Sequence, residues 1–321
     1  TVIRIPCLED MAKAGVEGAA EALEADLETP AIAAPATAAP EASGADTAEA
    51  DAAPAPDHEP AIAEIPEAAP GTRPLRIVAA GGWAPYLDED QAKGGMLAEM
   101  LSAALSRAAP DAEIRIDFIN DRGALLRPLI ADGAYDVSLA WIRPDCAAPG
   151  ALGEESAFRC AGLAWSDPLF ELIIGFYTRA DTPAPAGDSD LSGLAVCRPA
   201  GSSDALLEAH GLVGPKIRLV AAPEAGACFE MLLAGEVDAV AAPASSADEA
   251  IGALGAADRI AEQPQLATAA TLHAVTSADN PLKDAQIGRI NEGLRMIRKD
   301  GGWFEIVQRH LAAHAARLGA G

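Results

Sequence analysis

From residue 75 onward, short apolar runs alternate with stretches of helical spacing. Leu75-Arg-Ile-Val-Ala-Ala is an apolar run that breaks into Gly81-Gly82, which predicts a buried parallel strand opening into a loop. Met96, Leu97, Met100, Leu101, Ala104 and Leu105 recur at helical intervals. Ile114-Arg-Ile-Asp-Phe alternates as a half-buried strand, residues 125–131 read as a short helix, and 136–141 as a further strand. Strand, helix, strand, helix, strand is the signature of a doubly wound α/β unit.

The same phrase then recurs. Leu129-Ile-Ala-Asp-Gly133-Ala-Tyr-Asp136-Val is echoed by Leu232-Leu-Ala-Gly235-Glu-Val-Asp238-Ala-Val. In both, a helix ends on a glycine suited to the left-handed position, and three residues later an aspartate opens a buried strand. Between the copies, Leu194-Ala-Val-Cys-Arg-Pro-Ala-Gly201 predicts a strand entering a Gly-Ser-Ser turn and a helix, and Ile217-Arg-Leu-Val reads as another strand. Two similar α/β halves with a site between them is the economical reading; two unrelated α/β modules explain the repeat less well.

Composition separates these halves from what precedes them. The chain carries 48 acids against 23 bases, a net charge of −25. That balance argues against a nucleic-acid partner and a polybasic membrane-surface role. No stretch approaches the ~20 unbroken apolar residues that span a bilayer. Residues 1–72 hold no aromatic, 15 acids against Arg4 and Lys13, and eight prolines between Pro30 and Pro70. Such a segment cannot bury enough apolar area to offset chain entropy, so residues 27–72 read as a disordered acidic Ala/Pro-rich tether. Residues 10–26 have a marginal helical look. The folded domain is expected over 73–314, with 315–321 as a tail.

Five cysteines stand at 7, 146, 160, 197 and 228. None forms a Cys-x-x-Cys pair or has a histidine at zinc spacing, so no metal is expected. Cys146 and Cys160 bracket one Pro/Gly/Ala-rich stretch, and Cys197 and Cys228 bracket one strand–helix unit. The local pairing reads as two disulfides and an oxidising compartment, the alternative being buried free thiols. Cys7 follows no lipobox-like pattern. The chain opens without a charged n-region and apolar h-region, so the expected signal peptide lies outside the sequence. Thr1-Val-Ile-Arg-Ile-Pro6 resembles the closing strand of a LysM peptidoglycan-binding repeat ending near residue 8; a generic strand fragment reads as well.

Five motifs in order carry a broader resemblance: Gly81-Gly-Trp-Ala-Pro-Tyr86; Arg159 followed six residues later by Trp165-Ser-Asp-Pro168; Leu191-Ser-Gly-Leu-Ala-Val with Gly201-Ser-Ser; Thr271-Leu-His-Ala-Val-Thr with Asn280-Pro-Leu; and Lys299-Asp-Gly-Gly-Trp303. From about Pro74 to Leu311 the chain resembles the type II periplasmic substrate-binding proteins of ABC importers, solute-binding protein family 3, the polar amino-acid branch. The resemblance implies a bilobed α/β clamp of two doubly wound mixed sheets joined by two hinge crossings. Lobe 1 would span about 74–170 and 270–314, and lobe 2 about 171–268. It implies a periplasmic protein that closes on a small polar ligand for a permease. Closure would be a hinge motion stabilised by contacts on both sides.

Arg159 falls on the family's lobe 1 arginine, which fixes a ligand carboxylate through a bidentate charge-assisted pair; the plain alternative is a surface arginine beside Cys160. The interval from Ile142 to Arg159 is longer than in the family, and a 146–160 disulfide would either position Arg159 or block the pocket. Gly201, Ser202 and Ser203 precede a helix, where free N–H groups and hydroxyls suit an anion, or a serine simply caps the helix. Trp83, Tyr86 and Trp141 stand at strand ends in an aromatic-poor chain and suit stacking on a ligand, or core packing. Arg143 and Arg198 lie at neighbouring strand ends, with solvated surface roles as the default. The amino-acid branch has an aspartate for the ligand ammonium where this chain has Pro243, with Asp248 and Glu249 five or more positions later. The departure puts an ordinary α-amino acid in doubt; the expected ligand is a carboxylate or amino-acid-like molecule, with an anion lacking an amine or a larger cell-wall fragment as the alternatives.

No Gly-x-Ser-x-Gly elbow, P-loop, His-Glu-x-x-His or Gly-x-Gly-x-x-Gly is present. No catalytic residue and no cofactor are expected, although dehydratases share the fold and Asp88 or Glu171 are candidate bases. His210, His273, His310 and His314 are scattered and read as surface or packing residues. Three functions stay open: a solute-binding protein for an ABC transporter, a cell-wall-associated accessory or sensor protein with peptidoglycan as partner, and a dehydratase-like enzyme.

Overall fold

The computed structural model describes residues 73–318 apart from 149, 151, 201 and 213–215. The tether expected at 1–72, the strand at 1–8 and Cys7 lie outside the described residues. The elements follow in chain order: β1 (Leu75–Ala79), α1 (Met96–Ala108), β2 (Ile114–Phe118), an irregular helical stretch over 122–130, β3 (Val137–Ile142), α2 (Glu154–Gly162), β4 (Leu163–Trp165) and β5 (Phe170–Arg179). Then come β6 (Ala195–Pro199), α3 (Ala205–Ala209), β7 (Arg218–Ala222), α4 (Ala225–Ala234), β8 (Ala239–Pro243), α5 (Ala244–Ala253), β9 (Ile260–Glu262), β10 (Thr268–Ser277), α6 (Lys283–Lys299) and α7 (Gly302–Leu318). Helix α7 runs into the stretch expected as a tail.

The strands form one continuous path, β2-β1-β3-β10-β5-β8-β6-β7, with β4 on β10 and β9 on β5. At one end β1 runs parallel to β2 and β3, and at the other β6 runs parallel to β7 and β8. Only β5 and β10 belong to both ends. Residues 170–174 of β5 pair antiparallel with 268–272 of β10. Beyond that stretch β10 pairs with β3 and β4, while β5 pairs with β8 and β9. The fold is the expected bilobed one, with these two strands as the crossings.

The repeated phrase has a physical cause. Gly133 and Gly235 sit at φ +71° and +76°, a left-handed conformation that glycine takes without a Cβ clash. The aspartate that follows then clamps the neighbouring parallel strand at its start. Asp136 donates its backbone N–H to the Arg76 carbonyl (2.8 Å) and accepts the Arg76 N–H on its carboxylate (2.9 Å). Asp238 makes the same pair with Ala195, at 2.8 Å for each bond. A carboxylate thus completes the ladder where the strand has run out of backbone acceptors.

Helix α1 buries its apolar stripe against lobe 1 and against α6. The helices touch at Gly293, where a Cβ would stand 2.0 Å from the Ala104 carbonyl oxygen. On the other side of α1, buried Glu99 accepts from Lys93, Arg309 and His310 at 2.7, 2.7 and 2.8 Å, which ties α7 to the lobe. Burial alone would raise the Glu99 pKa, but these donors outweigh it and hold it at about 2.

Both expected disulfides are present, and no free thiol remains among the described residues. Cys197–Cys228 staples α4 to β6 in the lobe 2 core, and Cys146–Cys160 ties the loop after β3 to α2. Their sequence separations are 31 and 14, for which loop-closure entropy gives about 3–4 kcal/mol each. Non-reducing peptide mapping should recover linked 146–160 and 197–228 peptides; free thiols at these positions would contradict the fold as described. Asp238→Ala strands the buried Ala195 N–H and should lower unfolding free energy by about 1–3 kcal/mol in urea titration, whereas an unchanged midpoint would mean that the clamp contributes nothing.

Candidate functional site

Strand carboxyl ends carry the loops on which α/β proteins place their chemistry. Here those loops converge from both lobes on one cavity of about 650 Å³. Lobe 1 supplies residues 80–84 after β1, Asn120 and Arg122 after β2, and 140–142 at the end of β3. Lobe 2 supplies residues 198 and 199 at the end of β6, 200, 202 and 203 after it, 223–226 after β7, and 241–243 at the end of β8.

Arg159 projects into this space from α2 and is only 5% exposed. Its Nε donates to Glu155 Oε1 at 3.2 Å, one helical turn back, and its guanidinium lies 5.0 Å from the centre of the Trp141 ring. Glu155 is shared with Arg127, whose Nη2 donates to its other oxygen at 3.0 Å. The two terminal nitrogens of Arg159 have no partner among the described residues and are not sealed from the cavity. They form an open fork suited to a carboxylate. Burial pulls the Arg159 pKa down, opposed by the charge of Glu155.

The aromatic wall is partly as expected. Trp83 and Trp141 line the cavity. Tyr86 does not: it is buried beside it, 4.7 Å from the Trp83 ring and 5.8 Å from Phe170. Trp141 follows Ala140, which takes φ +65° where the β3–β10 register shifts. A non-glycine residue there costs about 1–3 kcal/mol, and the local kink re-aims the strand end toward the cavity. The Ala140 carbonyl accepts from Arg122 Nη2 at 3.3 Å.

Ser202 and Ser203 also line the cavity, while Gly201 lies outside the described residues. The expectation of free amides at a helix start meets a correction. The Ser202 N–H is already donated to the Pro199 carbonyl at 3.1 Å, and α3 is only five residues long. Arg198 is a wall residue, with its Nε 2.7 Å from Asp204 and its Nη1 donating to the Ser202 carbonyl at 2.8 Å. The Asp204 contact is an ion pair of poor hydrogen-bond angle. Arg143 is exposed and off the wall, as is Asp248. Pro243 and Glu249 are on it. Of the candidate bases, Asp88 lines the cavity and Glu171 does not.

Sequence reasoning missed Arg122. Its guanidinium sits 5.5 Å from the Trp83 ring and 5.6 Å from the Trp141 ring. Part of its surface opens on the cavity, yet protein surrounds it closely. Burial, reinforced by the charge of Arg159, pulls its pKa down to about 10. The only signal in the sequence was its place just past the end of a predicted strand.

Among the described residues three hydrogen bonds cross the gap, besides a His314–Glu249 contact at 3.8 Å. Trp83 Nε1 donates to Ser246 Oγ at 3.3 Å, Tyr86 Oη lies 3.2 Å from Ser245 Oγ, and the Gly153 N–H donates to Glu208 Oε1 at 2.9 Å. Both serines sit in the first turn of α5.

No family model and no curated protein matches the chain. Solved structures do. The arginine-, lysine-, histidine-binding protein ArtJ from Geobacillus stearothermophilus matches at TM-score 0.54 and 18% identity, over 75% of this chain and 96% of that one. The periplasmic VFT2 domain of Bordetella pertussis BvgS matches at 0.54 and 20%, over 74% and 92%. A histidine kinase sensor domain with similarity to periplasmic binding proteins matches at 0.56 and 19%, over 74% and 96%. The fold is that of the periplasmic binding proteins. Its cleft is where Trp83, Trp141 and Arg159 meet.

Because two of the four tryptophans line the cleft, a bound ligand should change the intrinsic fluorescence. The change should vanish in Trp83→Phe/Trp141→Phe and persist in Trp303→Phe, as titration with a binding ligand would record.

Proposed function

We propose that the chain is an extracytoplasmic solute-binding protein that clamps a small polar, carboxylate-bearing ligand between its lobes and delivers it to an ABC permease. The observation that carries this reading is the open fork of Arg159 in an inter-lobe cavity, backed by Trp141 and faced by the loop at Ser202 and Ser203. A buried guanidinium whose Nε is paired with Glu155 but whose terminal nitrogens have no partner among the described residues still gains from a bidentate carboxylate. The likeness to ArtJ, an amino-acid-binding protein by its description, supports a small ligand of this kind. Pro243 on the wall offers no charge to an ammonium group. The two disulfides support a periplasmic location.

A second reading has its own support. Two of the matched structures are a periplasmic domain of BvgS and a histidine kinase sensor domain, so the same clamp serves equally as a sensor or accessory module that reports ligand without transport. Peptidoglycan as partner belongs to this reading. No arrangement in the cavity favours the dehydratase reading.

Thermal-shift screening against carboxylates, amino acids and muropeptides tests the first reading. A ligand at a hundredfold excess over its Kd stabilises by about 2.7 kcal/mol. Arg159→Ala should weaken the best carboxylate hit by about 2–3 kcal/mol in calorimetric titration. Unchanged affinity would remove Arg159 from the site, retention by insoluble peptidoglycan without a soluble hit would favour the accessory role, and turnover of a cyclic hydroxy acid would make the protein an enzyme.

A further inference from the structure

A single carboxylate needs only the fork that Arg159 leaves beside its pair with Glu155, yet the cavity holds another guanidinium, Arg122, and this one has no counter-charge among the described residues. Among the described residues Arg122 makes one hydrogen bond, to the neutral Ala140 carbonyl, and no ion pair. Its other N–H groups are not sealed away, so they open on the same space as the fork of Arg159. Arg198 differs, because Asp204 and the Ser202 carbonyl already occupy it.

The acids on the wall do not neutralise Arg122. Glu224 and Glu249 are exposed, and Asp88 accepts from the Asp90 N–H and from Gln91. Both guanidinia instead share the Trp141 ring, at 5.6 and 5.0 Å from its centre. Two like charges drawn to one ring in a partly desolvated space repel, and the interior screens them far less than water does. A monoanion relieves one of them. A dianion relieves both, and a ligand ammonium would add a third positive charge where Pro243 is neutral.

We propose that the cleft is built for a small dicarboxylate, with one carboxylate seated on Arg159 and the other on Arg122. This rests on the reading of the cleft as a carboxylate site. It adds the second charge and makes Arg122 the residue that selects for it.

Calorimetric titration of the full chain with matched acids separates the two statements: succinate against butyrate, glutarate against valerate, and glutarate against L-glutamate. Each diacid should bind at least about thirtyfold more tightly than the monoacid of equal length, and glutarate more tightly than glutamate. Arg122→Met should reduce the diacid-to-monoacid ratio at least about tenfold, with Arg122→Lys retaining part of it. If Arg122→Met does not fold, the wild-type ratio decides alone. Equal affinity for diacid and monoacid would mean that both arginines share one carboxylate; that overturns the dicarboxylate proposal and leaves the carboxylate site standing. Tighter binding of glutamate than glutarate overturns it as well. Failure of every acid to bind removes the carboxylate reading with it.

Discussion

Two ten-residue strands run through both lobes, and the other described elements of the two lobes are arranged around their shared ladder. Backbone pairing of 170–174 with 268–272 fixes how the lobes meet. Breaking that ladder would expose several backbone groups at once, so relative motion of the lobes is confined to bending where the strands leave one lobe for the other. The same continuity decides which edges meet: β1 and β3 run to their carboxyl ends on one side of the gap, β6 and β8 on the other. The cavity is therefore a consequence of topology. Its walls combine loops with the ends of core elements: Trp83 stands on a loop, Trp141 near the end of β3 and Arg159 on α2.

Much of this was legible because the two halves repeat a local device. The glycine–aspartate phrase is conspicuous in the sequence because both residues have backbone duties, a left-handed turn at Gly133 and Gly235 and a side-chain acceptor at Asp136 and Asp238. Few other residues perform either task, so the pattern survives where packing residues vary. The crossing strands were not legible by the same rule. Residues 170–179 of β5 are nearly all buried past Ile173, since the strand passes from one lobe into the other and has little solvent face to mark a period of two. Helix α2 was hidden for a different reason. It is nine residues long with only Ser156 and Arg159 buried, so no apolar stripe announces it, and its position is held by Cys146–Cys160.

The site divides along the same line. Arg159, Trp83 and Trp141 stand at fixed offsets from strands, and a reading of strand ends brings them to one cavity. Tyr86, from the same loop as Trp83, turns to the seam with Ser245, its ring packed at a 41° tilt against the Trp83 ring and behind the cavity wall. Ser202 offers no free amide because the turn that follows β6 uses its N–H to close on Pro199. Arg122 escaped notice because its significance is a matter of what is missing around it. A sequence shows an arginine next to Asp121; it does not show that Asp121 spends its carboxylate on the Ala124 N–H and leaves the guanidinium to two indole rings.

A cleft lined by cations in a chain of formal charge −25 follows from which charges water reaches. Water and salt screen exposed carboxylates from an approaching anion. Inside the cleft the balance reverses, since the guanidinia of Arg122 and Arg159 line the cavity while of the acids on its wall Glu224 and Glu249 are exposed to water and half-buried Asp88 accepts from Asp90 and Gln91. Solvated carboxylates at the mouth lose little field to the interior, whereas buried guanidinia lose their hydration and regain it only through a partner. The sign of the cavity is thus set by which charges are desolvated, and net composition does not predict it.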